Sequence, residues 1–275
     1  MTDDVATHYA QDGLLDRILD ALVRADKDIE RLTIDDLAPV DEFHSRRRRA
    51  TEELAQMLAP RASDHVIDIG SGIGGPSRYL AATYGCRVSG VDLTPAFVAT
   101  AAALTERVGL AGRVDFRQGS ALDLPFADAS FDWAWSQNVA MNIQDRPRYY
   151  AEMFRVLKPG GRLAIQDVTQ GPGGEVIVPV MWASRPDLSF LHTPEATRSM
   201  LEAAGFEVLQ WVDTSKAALA EAAAEREQAR LAGGPPLLGI HVIVGPSARE
   251  KMRNGQRNQE ERRTLLLNAL LRRPA

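Results

Sequence analysis

His65-Val66-Ile67-Asp68-Ile69-Gly70-Ser71-Gly72-Ile73-Gly74-Gly75-Pro76 joins a short apolar run to a cluster of glycines and then a proline. The apolar run has the length and β-branched content of a buried strand. The glycines permit a tight turn and let a ligand approach backbone amides closely, and Pro76 suits the first turn of a helix. A helix N-terminus placed there favours a negatively charged group, such as the carboxylate of an amino-acid moiety. Taken alone, such a turn also fits dinucleotide-binding enzymes and plain tight turns.

Downstream of this turn, strand and helix signals alternate, the pattern of a parallel sheet with crossover helices and therefore of an α/β fold. Strands are expected at His65–Ile69, Arg87–Asp92, Val114–Gln118, Phe131–Ser136 and Arg162–Asp167, with helices at Pro76–Tyr84, Pro95–Val108 and Arg146–Val156. Further on, a helix is expected at Pro194–Ala204 and strands at Phe206–Asp213 and Leu238–Val244. These two strands flank an alanine-rich helix, Ser215–Leu231, that Gly233, Gly234, Pro235 and Pro236 end. Ser247–Leu271 reads as a charged helix with an apolar end at Leu265, Leu266, Leu267, Leu270 and Leu271, a packing face or dimer contact. Upstream, His8–Leu37 carries apolar residues at helical spacing, Pro39 interrupts it, and Phe43–Leu58 reads as a second helix with the basic run Arg46–Arg49 near its start. The expected division is an N-terminal helical lid over residues 1–60, a ligand-binding domain over 61–246 and a C-terminal helix over 247–275.

The residues at the ends of the later strands extend the chemistry of the turn. Asp92, after the second strand, places a carboxylate where it can accept hydrogen bonds from two ribose hydroxyls, or where it merely caps the next helix beside Thr94 and Pro95. After the third strand, the Ser120 hydroxyl and the amides of Ala121 and Leu122 are placed to read the edge of an adenine packed on Leu93 and Leu122. The fourth strand ends in Trp135-Ser136-Gln137-Asn138, and Leu157-Lys158-Pro159-Gly160-Gly161 turns into the fifth.

A formal charge of -5 supplies no basic field for a phosphate backbone, so nucleic acid is a poor expectation as partner. One cysteine, Cys86, and no signal-peptide pattern suit a reducing cytoplasm. No apolar run approaches the length of a bilayer span, so no membrane insertion is expected.

In this order, the glycine loop, the acid after strand two, the Gly-Ser-Ala-Leu stretch and Leu-Lys-Pro-Gly-Gly resemble the class I S-adenosylmethionine-dependent methyltransferases over roughly Leu54 to Val244. The resemblance implies a Rossmann-like, doubly wound, seven-stranded sheet of order 3-2-1-4-5-7-6, with S-adenosyl-L-methionine as cofactor. It carries methionine contacts onto Asp68, Gly70, Ser71 and Gly72, ribose contacts onto Asp92 and Leu93, adenine contacts onto Ser120, Ala121 and Leu122, and further cofactor contacts onto Ser136 and Gln137. Ser120 departs from the aspartate common at that place. Gly74 to Leu80, Trp135-Ser136-Gln137 and Met141-Asn142-Ile143 look most similar to small-molecule enzymes, namely sarcosine and dimethylglycine N-methyltransferases and the quinone and tocopherol methyltransferases.

The small-molecule acceptor is expected beyond strands four and five, facing Asn138, Met141, Asn142, Gln166 and Asp167, with Arg48 and Trp182 as further contacts. Asn138, His44 and His192 are the candidate catalytic residues, each histidine weighed against a solvated or structural role. No metal-ligand spacing is present. The expected reaction is in-line N-methylation of an amino-acid-like amine; C- or O-methylation of a phenolic or quinone-type ring, and a non-catalytic cofactor-binding subunit, are the alternatives.

Overall fold

Val66, Ile67 and Ile69 are fully buried because the strand they belong to, β1 (His65–Ile69), has neighbours on both sides. A computed structural model describes residues 13–42, 44–234 and 236–275. In it β1 pairs in parallel with β2 (Arg87–Asp92) and β4 (Phe131–Gln137). β3 (Val114–Gln118) adds to β2, and β5 (Leu157–Gln170) adds to β4. β7 (Thr264–Arg272) runs antiparallel between β5 and β6 (Glu207–Asp213), giving a seven-stranded sheet of order β3-β2-β1-β4-β5-β7-β6. The order reverses between β1 and β4, the switch point at which such sheets open a crevice beyond the strand ends.

The helices in chain order are α1 (Leu14–Arg24), α2 (Ile34–Asp41), α3 (Arg47–Leu58), α4 (Gly75–Tyr84), α5 (Pro95–Arg107), α6 (Arg146–Val156), α7 (Pro194–Ala203), α8 (Ser215–Leu231), α9 (His241–Val244) and α10 (Ala248–Glu260). Before the sheet, α1 presents Leu14, Ile18 and Leu22 to a buried cluster with Leu37, Ile73, Phe97 and Leu104. Each such side chain contributes about 1.5–3 kcal/mol by leaving water, so the N-terminal helices pack firmly on α4 and α5. The expected opening helix started at His8, which lies outside the described residues, as does Phe43, the expected start of the next helix. Pro39 does not separate helices: it lies inside α2, whose start is fixed by a capping box in which Thr33 and Asp36 exchange hydrogen bonds.

Two expectations fail together at the C-terminal end. Leu238–Val244 forms no strand; Leu238 and Ile243 join the cluster around α1, and His241–Val244 is a short helix. The seventh strand is instead Thr264–Arg272: of the leucines expected to end a helix as a packing face or dimer contact, Leu266, Leu267, Leu270 and Leu271 are buried in the sheet and Leu265 is half-buried. A central strand covered on both faces reads as a continuous apolar run without alternation, and a leucine-rich run of that kind is indistinguishable from a helix end by periodicity. The segment 247–275 is therefore a helix followed by a sheet strand, and the sheet begun at His65 is completed only at Arg272.

Candidate active site

The turn after β1 is tied to the end of β2. Gly70 and Ser71 donate their amides to the Val91 carbonyl at 2.8 and 3.0 Å, and the Gly72 amide donates to Asp92 Oδ2 at 2.9 Å. Asp92 Oδ1 accepts the Thr94 amide at 2.9 Å, which also ties it to the start of α5. Burial pushes the Asp92 carboxyl above its ordinary range, while the amides of Thr94 and Gly72 act against that rise. Gly70 and Gly72 differ in what they make room for. A Cβ on Gly70 would strike Val139, whereas at Gly72, with φ +53°, it would project into open space.

That open space belongs to a cavity of about 2520 Å³, well beyond the roughly 300–1,000 Å³ of ordinary ligand pockets. Asp68, Gly70, Ser71, Gly72, Asp92 and Leu93 line it on the β1–β2 side, and Ser120, Ala121 and Leu122 after β3. The Ser71 hydroxyl is buried with no hydrogen-bond partner. Asp68 accepts the Ser77 hydroxyl at 2.5 Å, and burial pushes its carboxyl up to about 7. An adenosyl amino acid fits this set: a carboxylate at ribose position, an unpartnered hydroxyl in the glycine turn, and a cradle that any side chain at Gly72 would fill. At the third-strand turn the Leu122 amide is already donated to Ser120 Oγ at 3.1 Å, so it is not free to read an adenine edge as expected.

Other expected cofactor and acceptor residues divide by the strand geometry. Gln137 and Asn138 line the cavity, but Ser136 faces the other side of the sheet, with its hydroxyl 2.7 Å from that of Tyr149 on α6. Gln166 and Asp167 do not line it. The strand expected to end at Asp167 continues to Gln170, so both residues sit mid-strand beneath the crevice. Gln166 Oε1 accepts from Gln137 Nε2 at 2.9 Å, and Asp167 Oδ1 accepts the Ala140 amide at 3.2 Å. Burial lifts the Asp167 carboxyl to about 6, and its Oδ2 has no partner.

Met141, Asn142, Trp182 and Phe190 also line the cavity, and the side-chain oxygens of Asn138 and Asn142 are buried without partners. Asn138 adopts φ 52°, a left-handed conformation that asparagine tolerates better than most residues. Its Nδ2 donates to Ser45 Oγ at 3.1 Å, linking the strand end to the segment before α3. His192 does not line the cavity; burial and then the nearby Arg146 charge lower its pKa.

His44 does line the cavity, with its side chain 4% exposed. Its Nε2 lies 2.8 Å from Glu42 Oε2 and its Nδ1 lies 3.2 Å from the Ser45 carbonyl. Glu42, with no exposed side-chain surface, also accepts Thr51 Oγ1 at 2.7 Å and Arg48 Nε at 2.7 Å. Burial would raise the Glu42 carboxyl, but His44, Arg48 and Thr51 together hold it below its ordinary range. Arg48 is consumed by this contact and the Ile34 carbonyl and does not line the main cavity, so it clamps no ligand there. Elsewhere in the basic run, Arg46 is forked between Glu53 and Glu221, whereas the Arg49 side chain is exposed. Sequence reasoning misses Glu42 because its partner spacing, two residues to His44 and nine to Thr51, matches no helical repeat.

Comparison with known proteins agrees with this geometry. Residues 67–165 match the family model described as a methyltransferase domain. Methyltransferase GfsG of Streptomyces halstedii is 33% identical over 184 residues, 66% of each chain. The sarcosine/dimethylglycine N-methyltransferase of Halorhodospira halochloris is 31% identical over 182 residues, 65% of this chain and 63% of that one. Further relatives bear O-methyltransferase names. The chain thus spans about two thirds or less of the length of these curated relatives. The crystal structure of the [4+2]-cyclase SpnF superimposes with a TM-score of 0.63 at 26% identity, covering 82% of this chain and 81% of that one. With the sheet order, the glycine turn and the Asp92 contact, these matches show that the chain carries a methyltransferase domain of the S-adenosylmethionine-dependent class.

Proposed function

We propose that this protein transfers the methyl group of S-adenosylmethionine to a hydroxyl of a bulky small molecule. The observation that supports this reading is the size of the cavity, which continues past Asn138 and Met141 to α8 and α10 and exceeds what an amino-acid-sized acceptor beside the cofactor would need. Two buried, unpartnered amide oxygens, on Asn138 and Asn142, suit an acceptor that brings a hydrogen-bond donor. A hydroxyl or amine does so; a ring carbon does not.

When bound, the cofactor supplies a methyl carbon made electrophilic by its sulfonium. The chain's own contribution is to orient the acceptor and shield the reacting centre, the acceptor's proton leaving to water once the methyl is bonded. Asn138 holds the acceptor heteroatom. Both ring nitrogens of His44 are engaged, Nε2 with Glu42 and Nδ1 with the Ser45 carbonyl, so His44 positions the wall beside the acceptor rather than taking its proton. Asp41 at the end of α2, His44 and Ser45, and Arg47 at the start of α3 line the site on its lid side.

A second reading, the N-methylation of an amine, is favoured by Trp182 and Phe190 on the acceptor wall, since aromatic faces attract a cationic amine. Labelled-methyl transfer from S-adenosylmethionine to a panel of hydroxylated polycyclic or macrocyclic compounds and of glycine-type amines tests both. Label on oxygen of the large compounds is the expected result; label only on small amines replaces this reading with the second, and cofactor binding without transfer to any acceptor removes both.

A further inference from the structure

Asp41 ends α2, and its side chain is 1% exposed. It lines the cavity beside Gly72, Ile73 and Pro76. Gly75 lacks a side chain where one would strike the Asp41 carbonyl and come within 2.9 Å of Asp41 Oδ1, so the lid helix rests directly against the start of α4. Oδ2 of Asp41 accepts Arg78 Nη2 at 2.8 Å. The other Nη donors of Arg78 go to the Ile73 and Ala101 carbonyls and Thr105 Oγ1, at 2.7, 3.2 and 2.9 Å, while its buried Nε has no partner. Asp41 Oδ1 is left buried with no partner. The other carboxylates around the loop differ: Asp68 has the Ser77 hydroxyl, and Asp92 has one backbone amide on each oxygen. A buried carboxylate oxygen without a donor is costly, and a cation bearing N–H groups would offset that cost.

We infer that Asp41 is a cofactor-binding residue, its Oδ1 receiving the α-ammonium group of the amino-acid end of a ligand seated in the glycine turn. This rests on the reading of the cavity as an S-adenosylmethionine site. The amides at the start of α4 suit the carboxylate of that amino acid, and its ammonium requires an acceptor, which the turn itself does not offer as a charged group. Asp41 supplies it from the lid. Binding then ties α2 to α4 through the ligand as well as through Arg78.

The test is calorimetric titration with S-adenosylhomocysteine and with its analogue lacking the α-amine, on the wild-type protein and on Asp41→Asn. The wild type is expected to bind the deaminated compound about 10- to 100-fold more weakly, the scale of a hydrogen bond between charged groups. Asp41→Asn is expected to lose most of that discrimination, weakening S-adenosylhomocysteine far more than the deaminated compound. Equal weakening of both ligands would assign Asp41 a purely structural role with Arg78 and overturn the inference. Should Asp41→Asn fail to fold, the wild type alone still decides against it if the two compounds bind equally. Binding of neither compound overturns the cofactor reading itself.

Discussion

Asp92 Oδ2 accepts the backbone amide of Gly72 at 2.9 Å, so the carboxylate that ends β2 also shapes the turn that leaves β1. The two halves of the proposed cofactor site are thus one hydrogen-bonded unit.

Asp92→Ala removes that bond and the proposed ribose acceptor together. The expected loss in S-adenosylhomocysteine affinity is about 1.5–3 kcal/mol, the scale of hydrogen bonds to a charged group. Isothermal titration calorimetry checks it, and an unchanged affinity would mean that Asp92 serves only to cap α5.

Gly72→Val and Gly70→Ala separate space from packing. At Gly72 the new side chain meets only the cavity, so binding is expected to vanish while folding stability falls by about 1–2 kcal/mol for the left-handed backbone. At Gly70 the added methyl collides with Val139, so stability is expected to fall further. Urea unfolding beside titration distinguishes them; normal binding by Gly72→Val would show that the ligand lies elsewhere.

His44→Asn and Glu42→Gln are expected to lower turnover by about 10²-fold, the cost of misplacing an acceptor by about 1 Å, while leaving S-adenosylhomocysteine affinity nearly intact. Single-turnover rates with the best acceptor measure this. Unaltered rates for His44→Asn would show that the Glu42–His44 contact takes no part in positioning the acceptor.

Asp68 carries a pH signature. Its folded pKa, pushed up to about 7 by burial with the Asp92 and Glu42 charges adding to the effect, stands above the ordinary 3.8. Between those values the folded state binds more protons than the unfolded one, so Asp68 makes stability fall as pH rises through that window. Asp68→Asn is expected to lose this decline: from pH 5 to pH 8 the wild type should weaken relative to the variant in urea unfolding. Parallel pH dependences would place the Asp68 pKa near its unfolded value.

The cofactor half of the site was legible in sequence because its parts are local: a strand, a turn and a cap lie within a few residues of Gly70, and Asp92 falls at the end of the next strand. The acceptor half was not, because it depends on where strands stop. Gln166 and Asp167 were expected at the crevice, but β5 continues to Gln170 only because β7 pairs with it, and β7 lies about a hundred residues downstream in a leucine run that has no strand alternation. The Glu42–His44–Thr51 contact and the Asp41–Arg78 pair join segments across turns and helices, and only the packed lid brings them together.

The central claim is that the turn at Gly70–Gly72 and the Asp92 carboxylate hold one S-adenosylmethionine molecule whose methyl group faces Asn138. A crystal structure of the protein with S-adenosylhomocysteine tests it most directly. The predicted result is a ribose on Asp92, the amino-acid end in the glycine turn and the sulfur directed toward Asn138; a ligand seated elsewhere, or with its ribose away from Asp92, would contradict the claim.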